Sequence, residues 1–335
     1  MIRIFILNIC LLLNCVGVLS ADIFEPQSFV QSSKQIVLQE YPNAHNPSIV
    51  KTKSGILLTF RHCPDPAQPW ISDIGIVKLN KALEPISKPQ LLNTRILNSS
   101  IPPQSEDARI FTIGEKIYVI YNDNIKEINP GLNQRRDMFI ARVNQLQNRF
   151  VLSKPILLKH ATKYKAIKWQ KNWVPFESNK SLRLAYSIAP HEILSLNRSG
   201  VCTPVSAAKA QLKWDWGQLR GGTPALLLNG KYLAFFHSSM ILPSQFSQNE
   251  PRHHYFMGAY TFSAKPPFEV THISPSPIVG ENFYTPSHDK KVVFPGGFIV
   301  SNSSFYVAYG KDDKEIWIAK INREGLEKSL KPVSD

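Results

Sequence analysis

Cysteine is scarce in this chain of 335 residues, which contains only four. Cys10 and Cys15 fall within an apolar N-terminal run, so only Cys63 and Cys202 belong to the rest of the chain. Two cysteines are too few for a disulfide-stapled scaffold, and no metal-binding motif accompanies them. We therefore expect neither a metal nor an organic cofactor, and the sequence leaves open whether Cys63 and Cys202 pair.

Long hydrophobic runs are missing beyond the first 21 residues. The opening stretch MIRIFILNICLLLNCVGVLSAD carries one arginine, an apolar run and then small residues around Ser20 and Ala21. This pattern predicts a signal peptide over residues 1–21 and export to a periplasm, a secretory lumen or the exterior, with an uncleaved anchor as the alternative. The lack of a second run predicts no membrane contact beyond the signal peptide.

Acidic residues are outnumbered by basic ones, 25 to 39, which gives a formal net charge of +14. The lysines and arginines are scattered rather than gathered into runs, and no nucleic-acid-binding motif is present. We therefore expect a solvated basic surface and no nucleic-acid partner. Such a surface is compatible with attraction to phosphate or anionic glycans.

Helical periodicity is nearly absent, and a hairpin pattern recurs instead. The stretch RGGTPALLLNGKYLAFFHSS, from Arg220, has two apolar runs around an Asn-Gly turn, a strong hairpin signal. Similar patterns begin at four further positions: Asn46, Glu106, Lys171 and Phe294. A third apolar strand follows most copies, starting at Asp73, Asp137, Tyr255 and Glu315. The repeats predict an all-β five-bladed β-propeller as one domain over residues 22–335, with a jelly roll or sandwich as the alternative.

Propeller topology predicts where polar residues converge. The segment leading into the first strand of each blade and the end of the second strand share one face, so their polar residues should line one axial pocket. The leading segments contribute Asn46, Asp107, Arg109, Asn172, Trp173, Arg220 and Thr223, and the strand ends contribute Arg61, Asp123, His237 and Asp312.

The order of these motifs resembles a known family. The sequences N-P, E-D-A-R, K-N-W-V-P-F, G-G-T-P and V-F-P-G-G, followed by Y-G-K-D-D, resemble glycoside hydrolase family 130 over roughly residues 40 to 325. The resemblance implies a five-bladed propeller that cleaves or makes β-mannosides with inversion. The attacking group in that family is phosphate or water, and no cofactor takes part.

The resemblance also implies roles for individual residues. The family's general acid falls on Asp107, and it is thought to act through a sugar hydroxyl. We expect the sugar to contact Asn46, Arg61, Arg109, Asn172, Trp173, Thr223 and Asp312. We expect phosphate or a second sugar to contact Lys171, Arg220, His237 and His254.

Two departures from the family pattern bear on the reaction. Ala108 replaces the usual proline after the acid, and Ser187-Ile188-Ala189 replaces a His-Arg pair that binds phosphate in phosphorylases. The second departure weakens the expectation of phosphorolysis and favours hydrolysis or transfer. Hydrolysis would need a second carboxylate as base. The candidates are Asp123, Asp312, Glu177 and Glu281.

The carboxylates of the second repeat carry a further expectation. Neighbouring residues of a strand point to opposite faces, so only one of Glu106 and Asp107 should face the axis. An acid role for Asp107 would require burial to raise its pKa. The function predicted is therefore an exported enzyme that acts on β-mannosides or related oligosaccharides by inverting hydrolysis or phosphorolysis. A glycosyltransferase and a non-catalytic glycan-binding propeller are the alternatives.

Overall fold

The structure is a computed structural model that describes residues 25–95, 102–124, 135–147, 149–209, 212–243, 246–248 and 250–333. The predicted signal peptide, residues 1–21, lies outside the described residues. The described residues form 23 strands and one helix of seven residues, which confirms the all-β prediction. None of these ranges contains a helix with the length and apolar character that crossing a bilayer demands.

The elements follow one another from β1 (Val30–Ile36) to β23 at the C-terminus. The next strands are β2 (Ala44–Thr52), β3 (Gly55–His62), β4 (Asp73–Leu79), β5 (Gln90–Leu91), β6 (Glu106–Ile113), β7 (Lys116–Asp123), β8 (Asp137–Leu146), β9 (Arg149–Leu152) and β10 (Ile156–His160). They continue with β11 (Val174–Ser178), β12 (Ser181–Ser187), β13 (His191–Leu196), β14 (Val201–Ala208), β15 (Gln218–Gly221), β16 (Leu226–Leu228), β17 (Lys231–Leu242), β18 (Arg252–Ser263) and β19 (Val270–Ile273). The last are β20 (Val293–Ser301), β21 (Ser304–Lys311), β22 (Glu315–Asn322), the helix α1 (Arg323–Ser329) and β23 (Lys331–Pro332).

The strands form hydrogen-bonded sheets of four, nine, six and four strands. The nine-stranded sheet combines two antiparallel runs that meet in a short parallel pairing of β10 with β14. One of the two four-stranded sheets has the order β1-β22-β21-β20, so a strand near the N-terminus completes a sheet made by strands near the C-terminus. This pairing ties the two ends of the described chain together.

All the hairpins predicted from the repeats are present. They are β2–β3, β6–β7, β11–β12, the pairing of β15 and β16 with β17, and β20–β21. At the Asn-Gly turn, Asn229 and Gly230 both have positive φ, 49° and 79°, as a type I′ turn requires. The third strands are confirmed as β4, β8, β18 and β22.

The aromatic residues that close the second strands fill the core. Phe60, Tyr121, Phe236 and Tyr309 are fully buried. On the neighbouring third strand, a Cβ on Gly75 would lie only 2.1 Å from Phe60 Cζ, and one on Gly258 would lie 2.3 Å from Phe236 Cζ. Glycine is therefore required at these two positions, because any side chain would displace the ring.

The hairpins pack side by side in an almost closed, barrel-like succession, mainly through their first strands. β2 contacts β20 on one side and β6 on the other, β6 contacts β11, β11 contacts β16, and β17 contacts β20. Because the hairpins are antiparallel, the start of each first strand lies beside the end of its second strand; Ala44 pairs with His62, for example, and Arg220 with His237. We call these starting segments the lead-ins: residues 44–48, 104–109, 170–174, 218–224 and 292–297.

The two cysteines outside the predicted signal peptide are both buried free thiols. Cys63 follows β3, and Cys202 lies in β14. The question that the sequence left open is therefore answered: they do not pair.

Candidate active site

The lead-ins share an irregular backbone. One extra residue interrupts the pairing of β2, β6 and β20 at the start of each strand. Asn46, Asp107 and Asn172 have positive φ values of 45°, 53° and 62°. The left-handed region is costly for most side chains, and asparagine and aspartate tolerate it best. Strain of this kind recurs at functional sites, and bulges redirect side chains there.

Contacts join the lead-ins into a closed circuit. Asn46 Nδ2 donates to Asp107 Oδ1 at 3.1 Å, and Arg109 Nη2 donates to Asn172 Oδ1 at 3.0 Å. These bonds connect the first lead-in to the second and the second to the third.

Glycines complete the circuit where two backbones approach closely. A Cβ on Gly221 would lie 2.1 Å from the carbonyl oxygen of Asn172, and one on Gly222 would lie 3.0 Å from that of Pro295. A Cβ on Gly296 would lie 2.1 Å from the carbonyl oxygen of Pro47. The third, fourth, fifth and first lead-ins therefore meet without room for side chains between them.

Arg109 is the tie at the centre of this circuit. It is 1% exposed, and its guanidinium donates to the carbonyl oxygens of Asp107 and Gly222 as well as to Asn172. It also lies over the ring of Phe294, 5.2 Å from the centroid. The guanidinium of Arg109 is thus taken up by Asn172 Oδ1 and by backbone carbonyl oxygens, so Arg109 is not placed to hold sugar directly, whereas sugar contact by Asn172 stays a prediction. Arg109 positions the lead-ins.

Glu106 is the centre of a buried charge cluster. Its carboxylate lies 3.1 Å from Arg61 Nη2, 2.9 Å from Arg136 Nη2 and 2.8 Å from Lys171 Nζ. Burial by itself would raise the pKa of Glu106, but Arg61, Lys171 and Arg136 outweigh it and hold the pKa below its ordinary value. Glu106 is therefore ionised and serves to gather these cations. We call Glu106, Asp107, Arg61, Arg109, Arg136 and Lys171 the charge cluster.

Asp107 belongs to the same cluster. Burial pushes its pKa up, but Arg109, Lys171 and Arg61 push it down further, so the pKa of Asp107 lies below its ordinary value. This is opposite to the raised pKa expected of a general acid. Arg61 and Lys171 act on both Asp107 and Glu106. The bulge in β6 interrupts the strict alternation that predicted one axial carboxylate.

His237 lies beside the cluster as a neutral imidazole. Burial lowers its pKa well below the ordinary value, and the positive charges of Arg109, Arg220 and Lys171 lower it further. These neighbours unite three of the residues predicted to contact phosphate or a second sugar: Lys171, Arg220 and His237. Arg220 is exposed and donates to Gln218 Oε1 at 3.2 Å, so its guanidinium keeps further donors available.

Some of the buried polar atoms that lack a partner lie at this site, while others, such as Trp214 Nε1 and Tyr260 Oη, lie elsewhere. Within the described residues, Asn46 Oδ1, Arg61 Nε and His237 Nδ1 are buried and make no hydrogen bond with the protein. A buried polar atom without a partner costs free energy, so such atoms rarely occur together without a ligand to satisfy them. Asn46 Oδ1 packs against Gly310, so Arg61 Nε and His237 Nδ1 are the two atoms that a polar ligand could satisfy.

A cavity of about 640 Å³ opens beside the cluster. Arg61 and His45 line it together with Asp313. Sequence reasoning had placed the neighbouring Asp312 at the sugar. In the structure, Asp312 Oδ2 accepts a 2.6 Å bond from Thr285 Oγ1 and lies 3.1 Å from His288 Nδ1. Asp312 therefore holds the 285–288 segment, and Asp313 is the carboxylate on the cavity wall.

Three other predicted contacts are structural in this fold. Trp173 is 1% exposed, with its ring centroid 5.3 Å from that of Tyr186, so it packs in the core and offers no face to a sugar. Thr223 is fully buried, and its hydroxyl accepts from the backbone N–H of Phe235 at 3.0 Å. His254 is fully buried, and both ring nitrogens bond the backbone, at Leu242 and Lys291. These expectations were wrong because sequence does not report burial.

Of the four candidate bases, Asp123 lies near the charge cluster, where the charge of Arg136 acts on its carboxyl group. Glu177 accepts from the backbone N–H of Gly114 at 2.8 Å, at the turn end of the hairpins, away from the lead-ins. Glu281 is exposed, and Asp312 is held through Oδ2 beside Thr285 and His288, while its Oδ1 is buried without a hydrogen-bond partner. Asp123 accepts bonds from Ser105 Oγ and from the backbone N–H groups of 104 and 124. Among the described candidates, none presents a free carboxylate beside Asp107.

Replacing Asp123 with Asn should change how stability depends on pH. Burial raises the pKa of Asp123 from 3.8 to about 6 in the folded protein. The folded state therefore holds this proton more tightly than the unfolded state, so the wild type loses stability as the pH rises through this window. The amide carries no charge. The free energy of unfolding of D123N relative to wild type should therefore rise by about 2 kcal/mol between pH 4 and pH 7.5.

Urea denaturation at the two pH values measures this change. Asp65→Asn, on an exposed loop, is the control and should show no comparable rise. A D123N difference that stays constant from pH 4 to pH 7.5 would show that Asp123 titrates normally.

The end of the third hairpin differs from the phosphorylase pattern in the way the sequence indicated. Ser187 Oγ donates to the carbonyl oxygen of Pro190 at 2.6 Å, and Ile188 is buried. The nearby Lys163 forms an ion pair with Glu192, whose other oxygen lies 3.1 Å from His160 Nε2. These charges compensate each other, so this hairpin adds no free cation to the site.

Sequence reasoning missed Arg136, His45 and Asp313. Arg136 directly precedes the third strand of the second repeat, while the search considered only the lead-ins and the ends of second strands. His45 is the residue before Asn46, and Asp313 directly follows Asp312. The repeats had located the right segments for these two, but the side chain that reaches the site depends on the local twist of the backbone.

Comparison with known proteins finds the fold but not a sequence family. No family model and no curated protein sequence matches the chain. A glycosyl hydrolase from Bacteroides ovatus shares 14% identity at a TM-score of 0.61, over 93% of this chain and 96% of that one. A β-1,2-mannobiose phosphorylase from Listeria innocua, solved with β-1,2-mannobiose, shares 14% identity at a TM-score of 0.57, over 93% and 96%. A mannose phosphorylase from Leishmania mexicana, solved with phosphate, shares 13% identity at 0.58, over 91% and 92%. The chain therefore has the fold of glycoside hydrolases and mannoside phosphorylases.

Proposed function

We propose that the protein is an exported, single-domain five-bladed β-propeller that cleaves β-mannosides by inverting phosphorolysis. The closed circuit of lead-ins supports the five-bladed arrangement, since each hairpin contributes one lead-in. The main observation in favour of phosphorolysis is the charge cluster, which lies at this circuit of lead-ins. The shared fold with mannoside phosphorylases is consistent with this function.

The charge balance of the cluster favours phosphate as the attacking group. Within the charge cluster, the four cations exceed the two carboxylates Glu106 and Asp107 by two, and Asp313 on the cavity wall, which also acts on Arg61, is paired with Lys290. Arg220 adds a further exposed guanidinium beside His237. A phosphate dianion would balance this excess and would use the donors of lysine and arginine. Hydrolysis would instead require a free second carboxylate, and none of the four candidates lies next to Asp107.

The proposed reaction is a single displacement. A phosphate oxygen attacks the anomeric carbon on the face opposite the leaving group. The glycosidic C–O bond breaks as the new C–O bond to phosphate forms, and the departing oxygen takes a proton that originates on Asp107. The proton carried by the phosphate then restores Asp107. The products are α-mannose 1-phosphate and a glycan shortened by one mannose.

Bound phosphate would also reconcile the low pKa of Asp107 with its role as the acid. In the free protein, three cations keep Asp107 ionised. A bound phosphate places negative charge among the same cations and offsets their stabilisation of the Asp107 carboxylate. The pKa of Asp107 therefore rises, which favours its protonated form. Phosphate binding therefore prepares the acid, and the enzyme is idle without it.

The first test is product analysis with β-1,2-, β-1,3- and β-1,4-linked manno-oligosaccharides, with and without inorganic phosphate. Mannose 1-phosphate formed only with phosphate supports the proposal and identifies the linkage. Free mannose under both conditions would make the protein a hydrolase, as the missing His-Arg pair suggested. Transfer from an activated mannose donor, or binding without turnover, would support the transferase or the glycan-binding alternative.

Replacing Lys171 with Gln should weaken the binding of phosphate more than the binding of the sugar. The side chain of Lys171 is 24% exposed and donates to Glu106 at the edge of the cluster. Loss of one charge-assisted bond should raise the KM for phosphate roughly tenfold, with a smaller change in the KM for the mannoside. Lys165→Gln, an exposed lysine of the same loop, is the control. Equal changes in both KM values would argue against a phosphate contact.

A further inference from the structure

A large aromatic side chain stands in solvent at the edge of the site. Trp169 is 59% exposed. Among the described residues it is the one tryptophan in the set of exposed large apolar side chains, and an indole beside a polar site offers a ligand a flat apolar face. The sequence had led us to expect sugar contact at Trp173, which the fold buries.

The backbone holds Trp169 firmly. Arg136 N donates to the carbonyl oxygen of Lys168 at 2.9 Å, and Gln170 N donates to the carbonyl oxygen of Arg136 at 2.8 Å. These two bonds bracket Trp169 on both sides, in a parallel bridge with Arg136. The side chain of Arg136 binds Glu106 in turn. The backbone that carries the indole is therefore fixed to Arg136, a member of the charge cluster.

Lys171 also connects the indole to the cluster. Its ammonium lies 5.3 Å from the Trp169 ring centroid and 2.8 Å from Glu106 Oε2. Together these distances place the ring within about 8 Å of that carboxylate oxygen. A disaccharide spans such a separation. One sugar can therefore lie at the cluster while the next reaches the indole.

We infer that Trp169 is a stacking platform for a sugar ring beyond the one that is cleaved, so that the site prefers oligosaccharides over the shortest substrate. Pyranose rings have an apolar C–H face that packs on an indole while their hydroxyls remain in water. A rigid aromatic side chain loses little conformational entropy on binding, and aromatic anchors dominate affinity at exposed sites. This inference rests on the proposed function and names the substrate length that it favours.

The test compares W169A, W169F and the control L146A with manno-oligosaccharides of two, three and four units. Leu146 is also 59% exposed but lies at the end of β8, at its turn with β9. Turnover is measured as kcat/KM with saturating phosphate, and binding is measured in parallel by calorimetry. W169A should lose roughly tenfold in kcat/KM for the longest substrate and less for the shortest. W169F should recover most of the loss, since it restores an aromatic face, and L146A should match wild type.

The outcomes separate this inference from the proposed function. Suppose that the wild type turns over all substrates and that kcat/KM of W169A falls equally at every substrate length, or does not fall at all. The stacking platform is then refuted and the proposed reaction stands. If the wild type binds longer glycans more tightly without turnover and W169A abolishes that gain, the platform stands and the phosphorylase is refuted. If the wild type neither binds nor cleaves these glycans, both are wrong.

Discussion

Replacing Asp107 with Asn is expected to lower kcat by about 10³-fold and leave the fold and sugar binding intact. The amide keeps an oxygen that can accept the bond from Asn46 Nδ2. It cannot supply a proton to the departing oxygen. Because one side chain carries this proton, its removal should affect kcat much more than affinity.

The measurement is steady-state turnover of the preferred mannoside, with calorimetric binding of the same sugar and thermal unfolding as companions. Asp65→Asn, which removes a carboxylate from an exposed loop, is the control and should be fully active. A D107N protein that binds sugar and still turns it over within a few-fold of wild type would remove Asp107 from the chemistry. Glu106, the other carboxylate of the charge cluster, would then be the next candidate for the acid.

Replacing Glu106 with Gln is expected to have the largest effect on stability. The carboxylate is 7% exposed and faces Arg61, Arg136 and Lys171. Removing it would leave three cations gathered in a poorly solvated place, with Asp107 as the one carboxylate left in the cluster to offset them. Breaking a buried ion pair from one side typically costs about 3 to 5 kcal/mol, so the free energy of unfolding should fall by that amount.

Urea denaturation of E106Q and a matched control measures this effect. Glu115 forms an ion pair with Lys53, and both side chains are at least 75% exposed, so E115Q should change stability little. Phosphate should also recover part of the E106Q loss, since it supplies negative charge to the same cations. An E106Q protein as stable as E115Q would mean that the cluster is solvated and contributes little to the fold.

The strands and hairpins were predictable because their signals are local. The Asn-Gly turn at 229–230 and the apolar runs around it specify a hairpin without knowledge of the rest of the chain. The same reasoning located the segments that form the lead-ins, because antiparallel pairing fixes which ends share a face. Glu106, Asp107 and Lys171 were found in this way.

The roles within these segments were less predictable, since they depend on small departures from regular strands. One extra residue in β6 displaces Asp107 from the alternation assumed for it. A fully buried Trp173 and an exposed Trp169 differ by four positions in the sequence, and nothing in the sequence shows which one faces water. Local patterns give the strand, but burial depends on the neighbouring sheets.

Long-range partners were the least predictable. Arg136 reaches Glu106 from 30 residues away, and Arg109 bonds Gly222 across 113 residues. The low pKa of Asp107 follows from three such cations together, so a sequence-based argument about one carboxylate and its burial gives the wrong direction. Only the assembled circuit of lead-ins shows that the cations outnumber the carboxylates.

The stereochemistry of the first-formed product tests the central claim most directly. Proton NMR would follow a β-linked manno-oligosaccharide with the wild-type protein and inorganic phosphate from the first minutes. One acid at Asp107 and attack by phosphate from the opposite face predict α-mannose 1-phosphate as the initial product, formed only when phosphate is present. Initial β-mannose 1-phosphate, or free mannose released at the same rate without phosphate, would contradict a single displacement by phosphate at this cluster.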